Sequence, residues 1–193
     1  MDDLLSTLAD VSRLALGRLT LRVSSVDLST LIRDAVDRLP PDVGHRIRLR
    51  LPRSSETRGD WDPLMLDRVI ANLLSNALKY SPEDSPVEVA MEVESDQIHL
   101  SVRDFGIGLD SEDLASLFRR YGRARGASRQ GIQGLGLGLY LSHGIVDAHG
   151  GRLWAESAGL GRGTTMHLLL PRSTPLPPED PRQSTETARQ MER

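Results

Sequence analysis

Apolar residues recur at helical spacing at the start of the chain. Over residues 1–17 the spacing alternates between three and four, at Met1, Leu4, Leu8, Val11 and Ala15. A seam of this kind is typical of a helix that packs lengthwise on another helix. A helix docked on its own domain gives the same pattern, so both interpretations stay open.

Two further helices are predicted before residue 82. The first begins at Asp27, a residue type that caps helices, and ends at the proline pair 40–41. The second begins at Asp62, is followed by a first-turn proline, and ends at Ser81. Each helix carries its apolar residues on one face, which predicts that this face is buried.

Alternating apolar residues predict several strands, and one more helix follows a glycine-rich segment. Residues 19–23 indicate a short strand or an extended linker, and a short helical piece is expected around 114–118. The clearer strands are 47–51, 87–93, 98–102, 153–156 and 164–170, with a hairpin turn at 95–96 and a helix between Gly138 and Gly150. Helices and strands mixed without regular alternation predict an α+β fold. We expect a two-layer α/β sandwich, with a mixed sheet covered on one face by three helices.

Composition narrows the class of protein. The 193 residues are 38% hydrophobic and 26% charged, with a net charge of −3, which gives no general attraction to nucleic acid. The absence of cysteine excludes disulfides and thiolate metal sites. No apolar run approaches the length of about 20 residues that a membrane helix needs, so we expect a cytoplasmic domain. The Pro-, Ser- and Glu-rich segment 172–193 is expected to be disordered.

Three polar residues share one arc of the helix that begins at Asp62. Asn72, Asn76 and Lys79 lie opposite the apolar stripe, and Lys79 is the only lysine in the chain. Two amide oxygens and an ammonium group suit hydrated Mg²⁺ and a polyphosphate. A solvated polar face is the competing interpretation.

Two glycine-rich segments add candidate ligand contacts. Asp104 precedes Phe105-Gly106-Ile107-Gly108 at the end of a predicted strand, where a carboxylate could accept a hydrogen bond from an exocyclic amine; a simple turn is the alternative. The tripeptide Asp-Phe-Gly also occurs in Ser/Thr/Tyr kinases, but this chain has no His-Arg-Asp sequence. The glycines of 134–138 precede a helix, whose first backbone N–H groups favour phosphate. No strand directly precedes them, which disfavours a dinucleotide fold, and there is no Walker A sequence.

An arginine-rich segment separates the two glycine motifs. It contains Arg119, Arg120, Arg123, Arg125 and Arg129. A flexible, glycine-flanked segment of this kind suits a lid that closes over a triphosphate. A solvated basic loop and a patch for an anionic partner are the alternatives.

Taken in order, these motifs resemble the catalytic domain of sensor histidine kinases, which has the Bergerat ATP-binding fold. NLLSNALKYSP (72–82) resembles the asparagine box, DFGIGL (104–109) the first glycine box and LFRRYGRA (117–124) the phenylalanine box. GLGLGLYLSHGIVDAHGG (134–151) resembles the second glycine box and GRGTTMHLLLP (161–171) the last. The resemblance covers about residues 4–171, and residues 8–36 resemble the junction that follows the dimerisation helices.

The resemblance implies ATP and Mg²⁺ as ligands and assigns roles to particular residues. Asn72, Lys79 and Arg123 would act in catalysis, and Asn76 would be the magnesium ligand. Asp104 would bind the adenine amine, with Tyr80 packed nearby. The implied nucleotide contacts are Asn72, Asn76, Lys79, Tyr80, Asp104, Gly106, Gly108, Arg120, Arg123, Gly134, Leu135, Gly136, Leu137, Gly138 and Thr164.

The resemblance also divides the chain. Residues 1–18 would be a remnant of a dimerisation helix, 19–26 a linker, 27–171 the catalytic domain with a flexible lid at about 109–133, and 172–193 a tail. None of the five histidines is followed by the acidic residue, arginine and proline of the phospho-acceptor box. The acceptor histidine is therefore expected on a helical domain outside this sequence, either in the same parent protein or on a separate chain. A parent could be membrane-anchored and would dimerise through the N-terminal helix.

Three functions remain open from sequence. The first is phosphoryl transfer from ATP to that histidine, for relay to the receiver domain of a response regulator. The second is a regulatory module of the same fold that sequesters or phosphorylates a separate partner, as anti-sigma-factor kinases do. The third is a non-catalytic anion binder that acts through the arginine-rich lid.

Overall fold

The computed structural model describes residues 2–53, 56–122 and 135–174, with side chains from Thr7 onward. It contains a five-stranded sheet, a two-stranded sheet and six helices within those ranges. In chain order the elements are α1 (Asp2–Ala15), β1 (Ser24–Asp27), α2 (Leu28–Asp37), α3 (Pro41–Gly44), β2 (Ile47–Arg50), β3 (Arg58–Trp61), α4 (Pro63–Tyr80), β4 (Val87–Val93), β5 (Gln97–Arg103), α5 (Ser111–Ser116), α6 (Gly138–Ala148), β6 (Arg152–Glu156) and β7 (Thr165–Pro171).

The larger sheet is mixed and has the strand order β2-β4-β5-β7-β6. β2 pairs parallel to β4, and the other three pairings are antiparallel. Alternate residues of β4, β5 and β7 are buried, as the alternation in the sequence predicts. One face of this sheet therefore forms the floor of the core.

Helices cover that face. α4 packs on β4 and β5, α6 packs on β6 and on α4, and α2 packs on α4. The apolar stripe of α4 is buried in this layer, at Leu66, Val69, Ile70, Leu73, Leu74 and Ala77. The expected α+β sandwich, with a mixed sheet covered on one face by helices, is confirmed. Among the described residues, no helix is both long and apolar enough to cross a membrane.

Asp62 fixes the start of α4, the helix that carries the predicted polar arc. Its carboxylate accepts hydrogen bonds from Leu64 N and Met65 N, at 3.0 and 3.1 Å, as an N-cap should. It also accepts one from Arg22 N at 2.7 Å. The buried His149 at the end of α6 accepts a hydrogen bond through Nε2 from Asp62 N, at 3.0 Å. The ends of α4 and α6 are thereby held together.

α1 docks on α6 of its own domain. Val11 is fully buried, and Leu14 lies over Gly144, where an added Cβ would come within 2.9 Å of three Leu14 atoms. Asp10 is also buried and forms ion pairs with Arg68 of α4 and with Arg13. Leu8 of the predicted seam is 43% exposed. The docking interpretation of this helix therefore describes the structure, and it leaves part of the seam open to solvent.

The structure refines several local predictions. Residues 19–23 form no strand, so the linker alternative for them agrees with the structure, and the first strand is Ser24–Asp27, where β1 pairs antiparallel with β3 in a ribbon that the sequence does not predict. The helical piece expected around 114–118 begins earlier, at Ser111, because the Asp110 side chain accepts a hydrogen bond from Asp113 N and caps it. The four-residue α3 was not predicted; it begins at Pro41, the second residue of the proline pair, in the first helical position that proline favours.

Candidate functional site

A cavity of about 300 Å³ opens beside α4, between the turn after β5 and the start of α6. Most of the residues singled out in the sequence line it. The lining residues are Thr7, Asn72, Ser75, Asn76, Ala77, Lys79, Tyr80, Asp104, Ile107, Gly108, Leu109, Leu117, Gly122, Leu135, Gly136, Leu137, Gly138, Leu139, Thr164 and Met166.

A buried carboxylate lies at one end of the cavity. Asp104 is 6% exposed, and its Oδ1 accepts hydrogen bonds from Gly106 N at 2.8 Å and from Thr164 N at 3.3 Å. Its backbone N–H donates to Thr164 O at 2.8 Å, which ties the end of β5 to the start of β7. These bonds hold the carboxylate through Oδ1, so that Oδ2 can accept from a ligand.

Burial raises the pKa of the Asp104 carboxyl above its ordinary value, and the two backbone hydrogen bonds oppose part of that rise. Water-poor surroundings strengthen a hydrogen bond made by the charged oxygen. The surrounding wall is apolar, with Ile107, Leu109 and Met166 among its side chains. A flat ring with an N–H donor at its edge matches this end of the cavity.

A pair of carboxamides lies at the other end. Asn72 donates from Nδ2 to the Ser142 hydroxyl oxygen at 3.0 Å, and Asn76 donates from Nδ2 to Asn72 Oδ1 at 3.3 Å. The two asparagines are one helical turn apart on α4, as the sequence predicts, and Ser142 belongs to α6. Both amides are half-buried.

Lys79 and Tyr80, the last two residues of α4, also line the cavity. The exposed ammonium of Lys79 lies 5.6 Å from the centre of the Tyr80 ring. The Tyr80 carbonyl accepts a hydrogen bond from Ile107 N at 3.3 Å, so the end of α4 is tied to the glycine turn that follows Asp104. Gly106 belongs to that turn and holds Asp104 through its backbone, although it does not line the cavity.

The two ends of the predicted lid meet beside the cavity. Tyr121 N donates to Gly136 O at 3.0 Å, and Gly122 and Leu135 both line the cavity wall. The guanidinium of Arg120 is exposed and lies 5.5 Å from the Tyr121 ring, away from the lining. Arg123 and Gly134 lie outside the described residues, as do Arg125, Arg129 and residues 123–133 of the lid.

Some lining residues carry no signal of their own in the sequence. Met166 and Leu117 read as ordinary apolar core positions, and Thr7 belongs to a helix that is remote along the chain. Ser142, which bonds Asn72, sits among apolar residues of α6. An alternation pattern shows which way these side chains point but not which other element they meet.

The arrangement fits a purine nucleotide. A buried acceptor and apolar walls at one end suit a base, and amides with an ammonium at the other suit phosphate groups. The donor set at the phosphate end consists of carboxamide oxygens, which are hard ligands that suit Mg²⁺. No group of three or more His, Cys, Asp or Glu side chains forms a metal site within residues 2–53, 56–122 and 135–174. The fold and site thus define a nucleotide-binding α/β sandwich.

Comparison with known proteins assigns the family. Residues 61–174 match the family described as histidine kinase-, DNA gyrase B- and HSP90-like ATPases. The match covers more than half of the chain and includes every described cavity residue except Thr7. The chain belongs to this family and contains its ATP-binding catalytic domain.

Curated relatives are sensor histidine kinases. The sensor histidine kinase WalK of Bacillus subtilis is 41% identical over 108 residues, which are 55% of this chain and 18% of WalK. The sensor histidine kinase MtrB of Mycolicibacterium paratuberculosis is 33% identical over 175 residues, which are 88% of this chain and 30% of MtrB. The chain thus spans less than a third of the length of these two relatives.

Solved structures share the fold. The histidine kinase AdeS of Acinetobacter baumannii matches with a TM-score of 0.71 at 21% identity, covering 89% of this chain and 78% of AdeS. Full-length ShkA in complex with AMPPNP matches with a TM-score of 0.70 at 25% identity, covering 92% of this chain and 37% of ShkA.

Proposed function

We propose that this chain transfers the γ-phosphate of ATP to a histidine on a helical domain outside this sequence, for relay to a receiver-domain aspartate. The observation that carries the proposal is that Asp104 lines the same cavity as Asn72, Asn76 and Lys79. A carboxylate that selects a base and amides that face phosphate are needed together only for a nucleotide. The family match and the histidine kinase relatives support the same conclusion.

The base end selects adenine. The charged Asp104 accepts a hydrogen bond from the exocyclic amine of adenine, while guanine presents a carbonyl oxygen at that position and is disfavoured. Hydrogen bonds to a charged acceptor contribute about 1.5–3 kcal/mol each. Tyr80 and Thr164 are placed to contact the nucleotide from the wall of the same cavity.

The phosphate end stabilises charge and supplies no base. A neutral carboxamide such as Asn72 cannot accept a proton from water, so hydrolysis is slow and transfer to a better nucleophile is favoured. Lys79 carries positive charge at the cavity for the transferring phosphoryl group, which is where most of the catalysis of such a reaction arises. Arg120, which lies outside the lining, and Arg123 would add to this charge when the lid covers the nucleotide. Asn76 would hold Mg²⁺, which neutralises charge on the phosphate oxygens when it is bound.

In the transfer step, a nitrogen of the acceptor imidazole is the nucleophile. The lone pair of a neutral imidazole nitrogen forms the N–P bond while the P–O bond to the bridging oxygen breaks. The electron pair of that bond leaves with ADP, and the proton of the imidazole passes to solvent. The acceptor must reach the open side of the cavity near Lys79 and the first turns of α6.

The chain is divided accordingly in this proposal. Residues 1–18 belong to a dimerisation helix through which the parent forms a homodimer, 19–26 are the linker, 27–171 are the catalytic domain, and 109–133 form the lid. The parent works with its nucleotide site in the cytoplasm, where the receiver domain is its partner.

Calorimetry of ATP binding with Mg²⁺ tests the nucleotide site. Asp104→Asn should weaken ATP binding by about 10- to 100-fold, the effect of losing one charge-assisted hydrogen bond. Asn76→Ala should remove most of the Mg²⁺-dependent part of the affinity and leave binding in EDTA nearly unchanged. Asp96→Asn, the same change in the β4–β5 hairpin turn, is the matched control and should bind like the intact chain. An intact chain that binds no adenine nucleotide refutes the proposal.

A second assay separates the kinase from a regulatory module. The chain is incubated with γ-labelled ATP and an isolated acceptor-helix protein that carries a histidine box, and acid-labile label on histidine is measured. Label that depends on Lys79 and Asp104 supports the kinase. ATP binding without histidine label, combined with stable capture of a separate partner, favours the sequestering module.

A further inference from the structure

We infer that Ser142 is a positioning residue for the metal: through Asn72, it fixes which end of the Asn76 carboxamide faces the cavity. This inference rests on the proposed function, because it concerns how that site holds Mg²⁺. Ser142 is 2% exposed and lies on α6, outside the cavity lining. It therefore acts through another side chain and does not touch the nucleotide.

The three side chains form one directed relay. Asn72 donates from Nδ2 to Ser142 Oγ at 3.0 Å, and Asn76 donates from Nδ2 to Asn72 Oδ1 at 3.3 Å. A carboxamide has a donor end and an acceptor end, so each bond dictates how the next amide must be turned. With the Asn76 NH₂ group committed to Asn72, the Asn76 carbonyl oxygen is the end left for a ligand.

The start of α6 favours the same direction of the relay. Asn72 Oδ1 lies so near Gly138 that an added Cβ there would be 2.4 Å from it. Gly138 is the first residue of α6, and the unpaired N–H groups at a helix start create a positive potential. An amide oxygen is favoured at this position over an NH₂ group. Asn72 therefore presents its NH₂ group to Ser142, whose hydroxyl oxygen accepts it.

The orientation of Asn76 decides whether it can bind a cation. A carbonyl oxygen directed at the cavity is a Mg²⁺ ligand, whereas an NH₂ group in the same place repels the ion. Without the Ser142 acceptor, Asn72 loses the bond that holds its NH₂ group, and both amides can turn over. The loss should fall on Mg²⁺ and spare the adenine contacts at Asp104.

Ser142→Ala tests the relay by comparing the dissociation constant of ATP in EDTA with that at saturating Mg²⁺. We expect the ratio of the two constants to fall about fivefold, the effect of one hydrogen bond, with the constant in EDTA unchanged. Ser29→Ala is the matched control, because Ser29 is equally buried at 2% on α2, is bonded to Asp27 and lies outside the cavity lining. It should leave the ratio unchanged.

The Asn76→Asp background shows whether orientation is the cause. A carboxylate presents an oxygen whichever way it is turned, so Ser142→Ala should change the ratio by no more than about twofold in that background. A full effect of Ser142→Ala there overturns the inference. So does an unchanged ratio in the single variant, or an equal loss of affinity in EDTA, which would indicate general damage to the cavity.

The outcomes separate this inference from the proposed function. If the intact chain binds ATP with Mg²⁺ and Ser142→Ala behaves like the intact chain, the positioning role fails and the nucleotide site stands. If the intact chain binds ATP in neither condition, the proposed function fails and the positioning role with it.

Discussion

Single side chains join elements that are far apart along the sequence. The Asp62 carboxylate accepts hydrogen bonds from Leu64 N and Met65 N in the first turn of α4 and from Arg22 N in the preceding segment, and Asp62 N donates to the buried His149 at the end of α6. Its carboxylate thus serves a cap and a tertiary contact at once. The cavity depends on this junction because α4 and α6 carry its phosphate end.

Asp62→Ala should destabilise the domain by about 2–3 kcal/mol. The loss of a helix cap costs about 1 kcal/mol, and the Arg22 N–H, whose hydrogen bond is partly buried, would lose its acceptor as well. The free energy of unfolding measured in urea checks this value. Asp110→Ala, which removes the cap of the short helix α5, should cost less than about 1 kcal/mol. Equal losses in the two variants would mean that the bond from Arg22 N adds nothing to stability, since the bond from Asp62 N to His149 is made by the backbone and remains in both.

At the scale of elements, α1 is held to the domain by a small interface. Val11 is buried against the domain, Leu14 covers Gly144, and the buried Asp10 pairs with Arg68 of α4. A helix of 14 residues is marginal on its own, so its order depends on these contacts. Thr7 of the same helix lines the cavity, which places α1 beside the proposed nucleotide site.

Asp10→Ala should loosen α1 while the rest of the domain stays folded. Removing the buried partner of Arg68 should raise the amide hydrogen exchange of residues 7–15 by about 5- to 30-fold, which corresponds to roughly 1–2 kcal/mol. The exchange of α4 and β5 should not change. Arg13→Ala, three residues away, removes a side chain that is 65% exposed and should have little effect. Unchanged exchange in Asp10→Ala would place the docking energy in the apolar contacts alone.

The elements that the sequence predicts are those that carry their own pattern. α4 has a cap at Asp62, an apolar stripe and a stop at Ser81, and the structure begins and ends it there. β1 and β3 are four residues each, SSVD and RGDW, and exist because they pair with each other across about 30 residues of chain. A pairing of two short strands has no local signature. The carboxamide relay shows the same limit, since Asn72 and Asn76 share a helix face but Ser142 reaches them only in the fold.

At the scale of the whole molecule, two histidines make the stability of the fold depend on pH. Burial lowers the pKa of His149, and the Ile145 carbonyl and Asp62 oppose part of that shift. Burial also lowers the pKa of His167; the nearby His99 adds to this shift, whereas Glu156 opposes it. His149 lies between α4 and α6 inside the domain. His167 lies on the opposite face of the sheet, where its ring lies beside those of His99 and Trp154, with centroids 5.2 and 4.9 Å away.

The stability of the domain should fall as the pH drops from about 7 to 5. Below the ordinary histidine pKa of about 6.5, the unfolded chain binds protons that the folded chain refuses, so acid favours unfolding. Two such groups give a slope of at most about 2.7 kcal/mol per pH unit. The raised pKa of Asp104 has the opposite effect, because the folded chain then binds a proton more tightly than the unfolded chain and acid favours folding. Differences in pH dependence between variants are therefore more informative than the pH dependence of the intact chain.

His167→Gln isolates the contribution of the outer face. Its Nδ1 lies 3.0 Å from His99 Nε2, and its Nε2 lies 3.7 Å from a Glu156 carboxylate oxygen. With His99 donating to Nδ1, the proton of neutral His167 is on Nε2, which is buried and makes no hydrogen bond with any described residue, since the Glu156 oxygen at 3.7 Å is beyond hydrogen-bond distance. Adding a second proton would place it on Nδ1, against the His99 donor, and would break the bond.

Urea unfolding between pH 5 and 8 should therefore show that the free energy of unfolding depends less steeply on pH in His167→Gln, by up to about 1.4 kcal/mol per pH unit. His45→Gln, a change on an exposed loop, should keep the original slope. An unchanged slope in His167→Gln would assign the pH dependence to His149 and the junction of α4 with α6.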